Sequence, residues 1–380
     1  MKIKKIDIKD IGLFLKKLDV EKPGIKIMSK KSTLSLFFIK GMHVGAANIL
    51  KQDALSLGAD LAVPRGTIIC SDKRVDALLI GTKREIEQLS RKELAQPFGL
   101  KELAKRLQQY LREKEYPLKI MGVINANEDS FYPGSRFKEA NAIKAVERMI
   151  EEGADIIDIG GVSSRPGSEP VNEEDELQRV KPVIDVIYSS KLYEKALFSI
   201  DSFRPKVIEY ALQRGFKIAN DITGLKDEEV AKIVAKHDAK AVIMHMKGEP
   251  KTMQKNPEYE DVVIEISDFF EKRLEKAEFF GIKRENIILD PGIGFGKKLQ
   301  HNLEIIRDLS EFKRFGCEIL VGASRKSMID MIVSSSVEER LPGSLALHMK
   351  AYQNGASIIR CHDVKEHFQA LEVLKAVENI

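Results

Sequence analysis

Ile288-Leu-Asp-Pro-Gly-Ile-Gly-Phe-Gly-Lys297 is an apolar run that ends in Asp290 and then breaks into three alternating glycines. A buried strand that carries one carboxylate to its C-terminal end, followed by a loop with few bulky side chains, is how an α/β fold presents a charge to a ligand. The loop is neither G-x-x-x-x-G-K-[ST] nor a G-x-G-x-x-G opening a first βαβ unit, so its spacing excludes both nucleotide loops. Its glycines are expected to let backbone approach a flat ring.

The pattern repeats in both directions along the chain. Strands are expected at Lys119–Ile124, Asp155–Gly160, Leu197–Ile200, Phe216–Ala219, Lys240–Met244, Asn286–Leu289, Glu318–Val321 and Ser357–Ile359, each short and rich in Ile, Val or Leu. Charged amphipathic stretches such as Ala140–Glu152, Pro205–Arg214 and Asp227–Lys236 fill most gaps. Eight βα units over residues 116–380 match a (β/α)8 TIM barrel, which typically takes ~250 residues. An open doubly wound sheet would usually need fewer strands and a glycine fingerprint after the first.

Residues 1–115 read as a small α/β accessory domain with no catalytic spacing. Helices are expected over Ile11–Leu18 and Ala46–Leu57, strands over Thr33–Ile39, near Thr67–Cys70 and at Asp76–Ile80, and a linking amphipathic helix over Lys101–Lys114. The 62 basic and 58 acidic residues are interspersed and leave a net charge of only +4, which argues against a nucleic-acid partner. Three widely spaced cysteines, Cys70, Cys317 and Cys361, fit neither a disulfide framework nor a four-ligand zinc site. No apolar run is long enough for a membrane span or a signal core, so a soluble cytoplasmic protein is expected.

Polar residues at the strand ends define the chemistry. Asp201, Asn220 and Asp290 are short, rigid groups able to hydrogen-bond the edge of a flat heterocycle, with Met244 and Phe295 able to cover its faces. Any one of them is as easily a helix cap; three at strand ends favour a pocket for a pterin-like ring. Arg360 and His362 share one face of a strand end, and with Arg165 and Lys326 they suit a phosphate or pyrophosphate. Gly322 opens the loop that leads to Lys326, and Asn125 offers an oxygen for Mg2+ beside substrate phosphates. His245, His301, His348 and His367 show no recognisable partner in the sequence and are assigned no chemistry.

Eight segments in register resemble dihydropteroate synthase: Met121–Asn125 with Asp129-Ser-Phe131, Asp155–Gly167, Ser199–Ser202, Asn220–Gly224, Met244–Gly248 with Pro250–Gln254, Asp290–Lys297, Ser324–Lys326 and Arg360–Val364. The resemblance implies a folate-pathway transferase that joins p-aminobenzoate to 6-hydroxymethyl-7,8-dihydropterin diphosphate, releases pyrophosphate, uses Mg2+ and forms a homodimer. It implies that Asp201, Asn220, Asp290 and Lys326 bind the pterin, Asn125 ligates Mg2+, and Arg360 and His362 hold the diphosphate. Ser164, where the family usually has Thr, would form the p-aminobenzoate side with Arg165 and Pro166. The first loop departs from the family's Asn-x-Thr-Pro-Asp-Ser-Phe, reading Asn125-Ala-Asn-Glu-Asp-Ser-Phe131, and Val162 and Cys361 stand where a Glu and an apolar residue are usual. A pterin-dependent methyltransferase would share the barrel but has no use for a diphosphate clamp.

Overall fold

The computed structural model describes residues 3–4, 11–126, 136–162, 171–248 and 252–378. The chain divides into two compact units, Met1–Glu113 and Lys114–Ile380.

The first unit is a three-stranded antiparallel sheet, β1 (Leu34–His43), β2 (Asp60–Ala62) and β3 (Arg74–Thr82), in the order β1-β3-β2. Leu50, Leu61, Leu79, Ile86, Leu89, Leu100 and Leu107 form its core. Thr82 starts the helix Lys83–Lys92 with a capping box completed by Glu85, which satisfies two orphan donors at once. The expected strand at Thr67–Cys70 is a run of turns instead. Pro64 and Gly66 (φ +84°) bend the chain, Cys70 N–H bonds back to Thr67 O, and Ile68 and Ile69 stay exposed. An apolar run was not enough to make a strand once turn residues preceded it.

The second unit is a closed parallel barrel of β4 (Lys119–Asn125), β5 (Ile156–Gly160), β6 (Leu197–Asp201), β7 (Ile218–Asp221), β8 (Lys240–Met244), β9 (Ile287–Asp290), β10 (Glu318–Val321) and β11 (Ile358–Cys361). Side chains alternate between the barrel interior and the surrounding helices. Met121, Ile156, Ile218, Val242, Ile288, Leu320 and Ile358 form one interior layer, while Ile157, Ile159, Ala219, Ile243, Leu289, Val321 and Ile359 face the helices.

Two residues before this interior layer, at the strand starts, lies a charged floor. The Glu318 carboxylate, only 2% exposed, takes Lys119 Nζ at 2.5 Å on one oxygen and Lys240 Nζ on the other. Burial pushes this carboxyl up, but the two ammoniums more than reverse it and hold it below its ordinary range. Two residues after the apolar layer, on the same face and at the opposite end, stand Asp158, Asn220, Met244, Asp290, Gly322 and Arg360. Strand period alone therefore delivers these residues to the mouth.

Candidate active site

The mouth is built around Arg360. Its Nε donates to Asp158 Oδ2 at 2.7 Å and its Nη2 to Asp201 Oδ2 at 2.9 Å. Asp158 is fully buried, and its Oδ2 also accepts Asn220 Nδ2 at 3.0 Å. That bond fixes the Asn220 amide and leaves its Oδ1 as the acceptor for a ligand. Burial raises the Asp201 pKa to about 7, the Arg360 guanidinium offsetting only part of it; the two carboxylates in turn hold Arg360 firmly charged.

Asp158 was not among the residues expected from the sequence. Its signal was an acidic residue inside an otherwise apolar strand, Ile156-Ile-Asp-Ile-Gly160, two positions beyond an interior isoleucine.

Asp290 closes another wall. Its Oδ1 accepts Gly292 N–H at 2.7 Å, and burial raises its pKa against that bond and the nearby Lys326 and Arg360 charges. Lys326 donates to Ile293 O and sits 4.6 Å from the centre of the Phe295 ring. Burial pushes the Lys326 ammonium down to about 8. Met244 is buried at the end of β8.

The glycine loop has a different reason from the one expected. A Cβ on Gly292 would overlap His245 O and one on Gly296 would overlap Lys247 O, both at positive φ. These two glycines let the loop lie against the backbone after β8; only Gly294, against the Lys326 side chain, looks toward the site. A buried lysine clips the two loops together: Lys297 Nζ contacts His245 Nδ1 at 3.0 Å and donates to His245 O at 3.2 Å and Phe295 O at 2.9 Å. Burial and the adjacent lysine press the His245 pKa down to about 2, so the ring is a neutral acceptor. His245 is thus a partner of Lys297 in this clip.

On the far side, Ser324 Oγ lies 2.9 Å from His362 Nδ1 and accepts the His362 backbone N–H at 3.3 Å. With the hydroxyl donating to Nδ1, the ring proton sits on Nε2 of this exposed histidine. Arg325 makes a two-pronged bond to Asp363, Nε to Oδ2 at 2.9 Å and Nη2 to Oδ1 at 2.7 Å, and so belongs to the rim. Asn125 is exposed at the end of β4. The structure thus brings Asp201, Asn220, Asp290, Lys326 and Arg360 together, with Met244, Phe295, Gly322 and His362 at the same end of the barrel. Ser164 and Arg165, with Asn127–Phe131, lie outside the described residues.

Short acids and an amide around an apolar base can grip the edge of a heterocycle, and Lys326, Arg360 and His362 add donors for an anion beside it. The family profile of pterin binding enzymes matches residues 121–362. The chain is 38% identical over 379 residues to the bifunctional dihydropteroate synthase/dihydropteroate reductase of Helicobacter pylori, covering 100% of this chain and 99% of that one. It is 42% identical over 258 residues to the dihydropteroate synthase of Escherichia coli, covering 68% of this chain and 90% of that one. The structure of Xanthomonas albilineans dihydropteroate synthase in complex with 7,8-dihydropteroate aligns at a TM-score of 0.61 and 34% identity, over 70% of this chain and 95% of that one. The chain belongs to the pterin binding enzymes, with a barrel of the dihydropteroate synthase kind.

Proposed function

We infer that the barrel is a dihydropteroate synthase, a transferase that condenses 6-hydroxymethyl-7,8-dihydropterin diphosphate with p-aminobenzoate to give 7,8-dihydropteroate and pyrophosphate. The observation that carries the reading is the coincidence of the polar layer with the match over residues 121–362.

Asp290, Asp201 and the Asn220 Oδ1 take the ring edge, Met244 and Phe295 its faces. Lys326 binds the pterin beside Asp290, and Arg360 and the His362 Nε2–H receive the diphosphate, with Gly322 leaving room beside Arg360. Departure of pyrophosphate leaves positive charge on the methylene carbon, delocalised into the electron-rich ring. Arg360 neutralises the charge growing on the leaving group, the neutral His362 ring donates a hydrogen bond to it, and the Asp201 carboxylate favours the cationic pterin. Removing one such preorganised group typically lowers the rate by ~10²–10³. The arylamine then attacks the methylene carbon and afterwards sheds its proton, so no strong base is needed. The resemblance assigns Ser164 and Arg165 to the arylamine side.

Among the described residues, no group of three His, Cys, Asp or Glu could hold a metal ion. An exposed carboxamide such as Asn125 still fits Mg2+, which commonly takes one or two protein oxygens and completes its shell with water and substrate phosphates. Bound there, Mg2+ would add charge neutralisation to the pyrophosphate. No helix among the described residues is long and apolar enough to cross a membrane. We take the protein to be a cytoplasmic homodimer, which sedimentation of the purified chain tests.

The deciding experiment is pyrophosphate release with Mg2+, dihydropterin diphosphate and p-aminobenzoate, alongside Asp201→Ala and Lys326→Ala. Release coupled to dihydropteroate and lost in both variants is expected. Tight binding of the pterin diphosphate without product would overturn the synthase and redirect attention to a ribosylated arylamine or to a non-catalytic role.

A second activity is favoured by one observation. The Helicobacter relative named for a synthase and a reductase matches this chain end to end, whereas the Escherichia synthase covers 68% of it. The unit of residues 1–113 is then the candidate for reduction of dihydropteroate. The full chain should consume 7,8-dihydropteroate when given a hydride donor, reduced nicotinamide or reduced flavin; no consumption with either would discard this reading.

A further inference from the structure

His348, in the helix Leu341–Gln353, and His367, in the helix Val364–Glu378, are both fully buried. Their Nδ1 and Nε2 atoms, respectively, lie 2.7 Å apart. At one end of the pair, Ala323 N–H donates to His348 Nε2 at 2.8 Å; at the other, His367 Nδ1 lies 2.6 Å from Asp363 O.

Counting protons leaves one arrangement. Nε2 of His348 accepts an amide N–H and carries no proton, so its Nδ1–H donates to Nε2 of His367. The remaining proton of His367 is on Nδ1 and goes to the Asp363 carbonyl. Both rings are neutral, in keeping with burial, which holds each below the ordinary histidine range. The titratable groups facing them are Lys326 and His362 toward His348, and Asp363 and Glu366 toward His367.

A buried histidine pair is by default packing with its polar atoms satisfied. Here both ends of the chain are backbone groups of the two anion-facing loops. Ala323 precedes Ser324 and Lys326; Asp363 follows Arg360 and His362. The rim already joins these loops through Ser324–His362 and Arg325–Asp363. The histidine pair joins them again from below, and apolar side chains of the same size would leave the Ala323 amide without its partner in a dry interior and the Asp363 carbonyl with only the His367 backbone N–H.

We propose that His348 and His367 are positioning residues that hold the Gly322–Lys326 and Arg360–Asp363 loops in the relative placement that receives the diphosphate. This rests on the assignment of that half of the mouth to the diphosphate. The pair touches no substrate; it acts through Ala323 and Asp363, setting where Lys326, Arg360 and His362 stand. Misplacing such groups by about 1 Å is enough to lower turnover by ~10²-fold.

The test compares His348→Leu, which keeps volume and removes the acceptor, with His348→Gln, whose amide oxygen can take the place of Nε2. KM for dihydropterin diphosphate, KM for p-aminobenzoate and kcat are measured separately on full-length protein. For Leu, the diphosphate KM should rise about tenfold or more while the p-aminobenzoate KM stays within about twofold, and Gln should restore most of the loss. Both KM values unchanged in the Leu variant, or Gln no better than Leu, overturns the proposal. If the Leu variant does not fold, ¹⁵N-histidine spectra of the unaltered protein decide. Two histidines locked as neutral Nδ1–H tautomers, insensitive to pH between 5.5 and 8.5 but shifted on adding pyrophosphate, support it. A titrating pair, or one indifferent to pyrophosphate, refutes it. Wild-type protein that neither binds the pterin diphosphate nor turns it over sinks the synthase reading and this role with it; an active wild type with unchanged variants sinks this role alone.

Discussion

Replacing Asp158 by Ala strands a guanidinium. Arg360 is about three-quarters buried, and Asp158 supplies one of its two carboxylates and the only one shared with Asn220. Breaking a buried pair by removing one partner costs roughly 3–5 kcal/mol, because the survivor is left charged in a dry setting. Arg360 keeps Asp201 at 2.9 Å, so the lower end applies, about 3 kcal/mol. For a unit of this size each kcal/mol moves the melting temperature by ~2–4 °C, giving a fall of about 6–12 °C. Differential scanning calorimetry of the full chain at pH 7.5 reads it directly. The informative comparison is Asp158→Ala with Arg360→Met, which removes the stranded charge and leaves Asp201 free to protonate. That double variant should melt several degrees above the Asp158→Ala single variant although both are inactive. A single variant melting within about 2 °C of wild type, or a double variant at the sum of its singles, would refute the coupling of these residues into one network.

The same geometry sets other outcomes. Catalytic efficiency toward the pterin diphosphate should fall as pH rises through about 8, where Lys326 loses its proton, and Lys326→Arg should move that limb to higher pH; a pH profile of kcat/KM checks it. In the N-terminal unit, Glu93 is fully buried and burial with the neighbouring Asp53 raises its pKa from 4.5 to about 7. The folded chain therefore holds a proton that the unfolded chain has lost between those values, so this contribution is present at low pH and vanishes as pH climbs through about 7. Glu93→Gln should flatten the resulting loss of stability between about pH 4.5 and 7, as seen by thermal melting. Gly296→Ala should lower stability and raise the pterin KM together, because its Cβ meets Lys247 O, whereas Gly316→Ala, at a similar φ with nothing nearby, should incur only the left-handed penalty of ~1–2 kcal/mol. Glu318→Gln should destabilise the barrel by about 3 kcal/mol while leaving KM values of the folded fraction unchanged, measured by melting and steady-state kinetics.

The barrel was legible because its interior obeys a period of two. Ile218 and Asn220, Val242 and Met244, Ile288 and Asp290, Ile358 and Arg360 are each an apolar interior residue followed two positions later by a mouth residue, and a short apolar run ending in a polar group records that directly. Asp158 left a fainter mark because its carboxylate sits two residues inside its strand, where the pattern of polar strand ends does not reach. The loop after β9 gave its glycines but not their purpose: Gly292 and Gly296 answer to carbonyls of His245 and Lys247, some 47 residues or more away in sequence. His348 and His367 gave no signal at all, since their pairing depends on two helices meeting and on backbone partners that carry no letter code. Thr67–Cys70 failed for the opposite reason, an apolar string whose conformation was set by Pro64 and Gly66 before it.

The charged floor of Glu318, Lys119 and Lys240 governs traffic through the barrel. Beneath the mouth the barrel is filled by seven apolar side chains and stoppered by an ion triad, so nothing passes through it. The well is blind, and whatever enters first and deepest leaves last. On the function proposed above, a heterocycle gripped by Asp290 and Asn220 would occupy the bottom of the queue, and an arylamine arriving from above would become its stopper. A reaction that fuses the two into one rod must then withdraw the whole product backwards through the entrance before another turnover begins, which makes release the natural bottleneck of such a design.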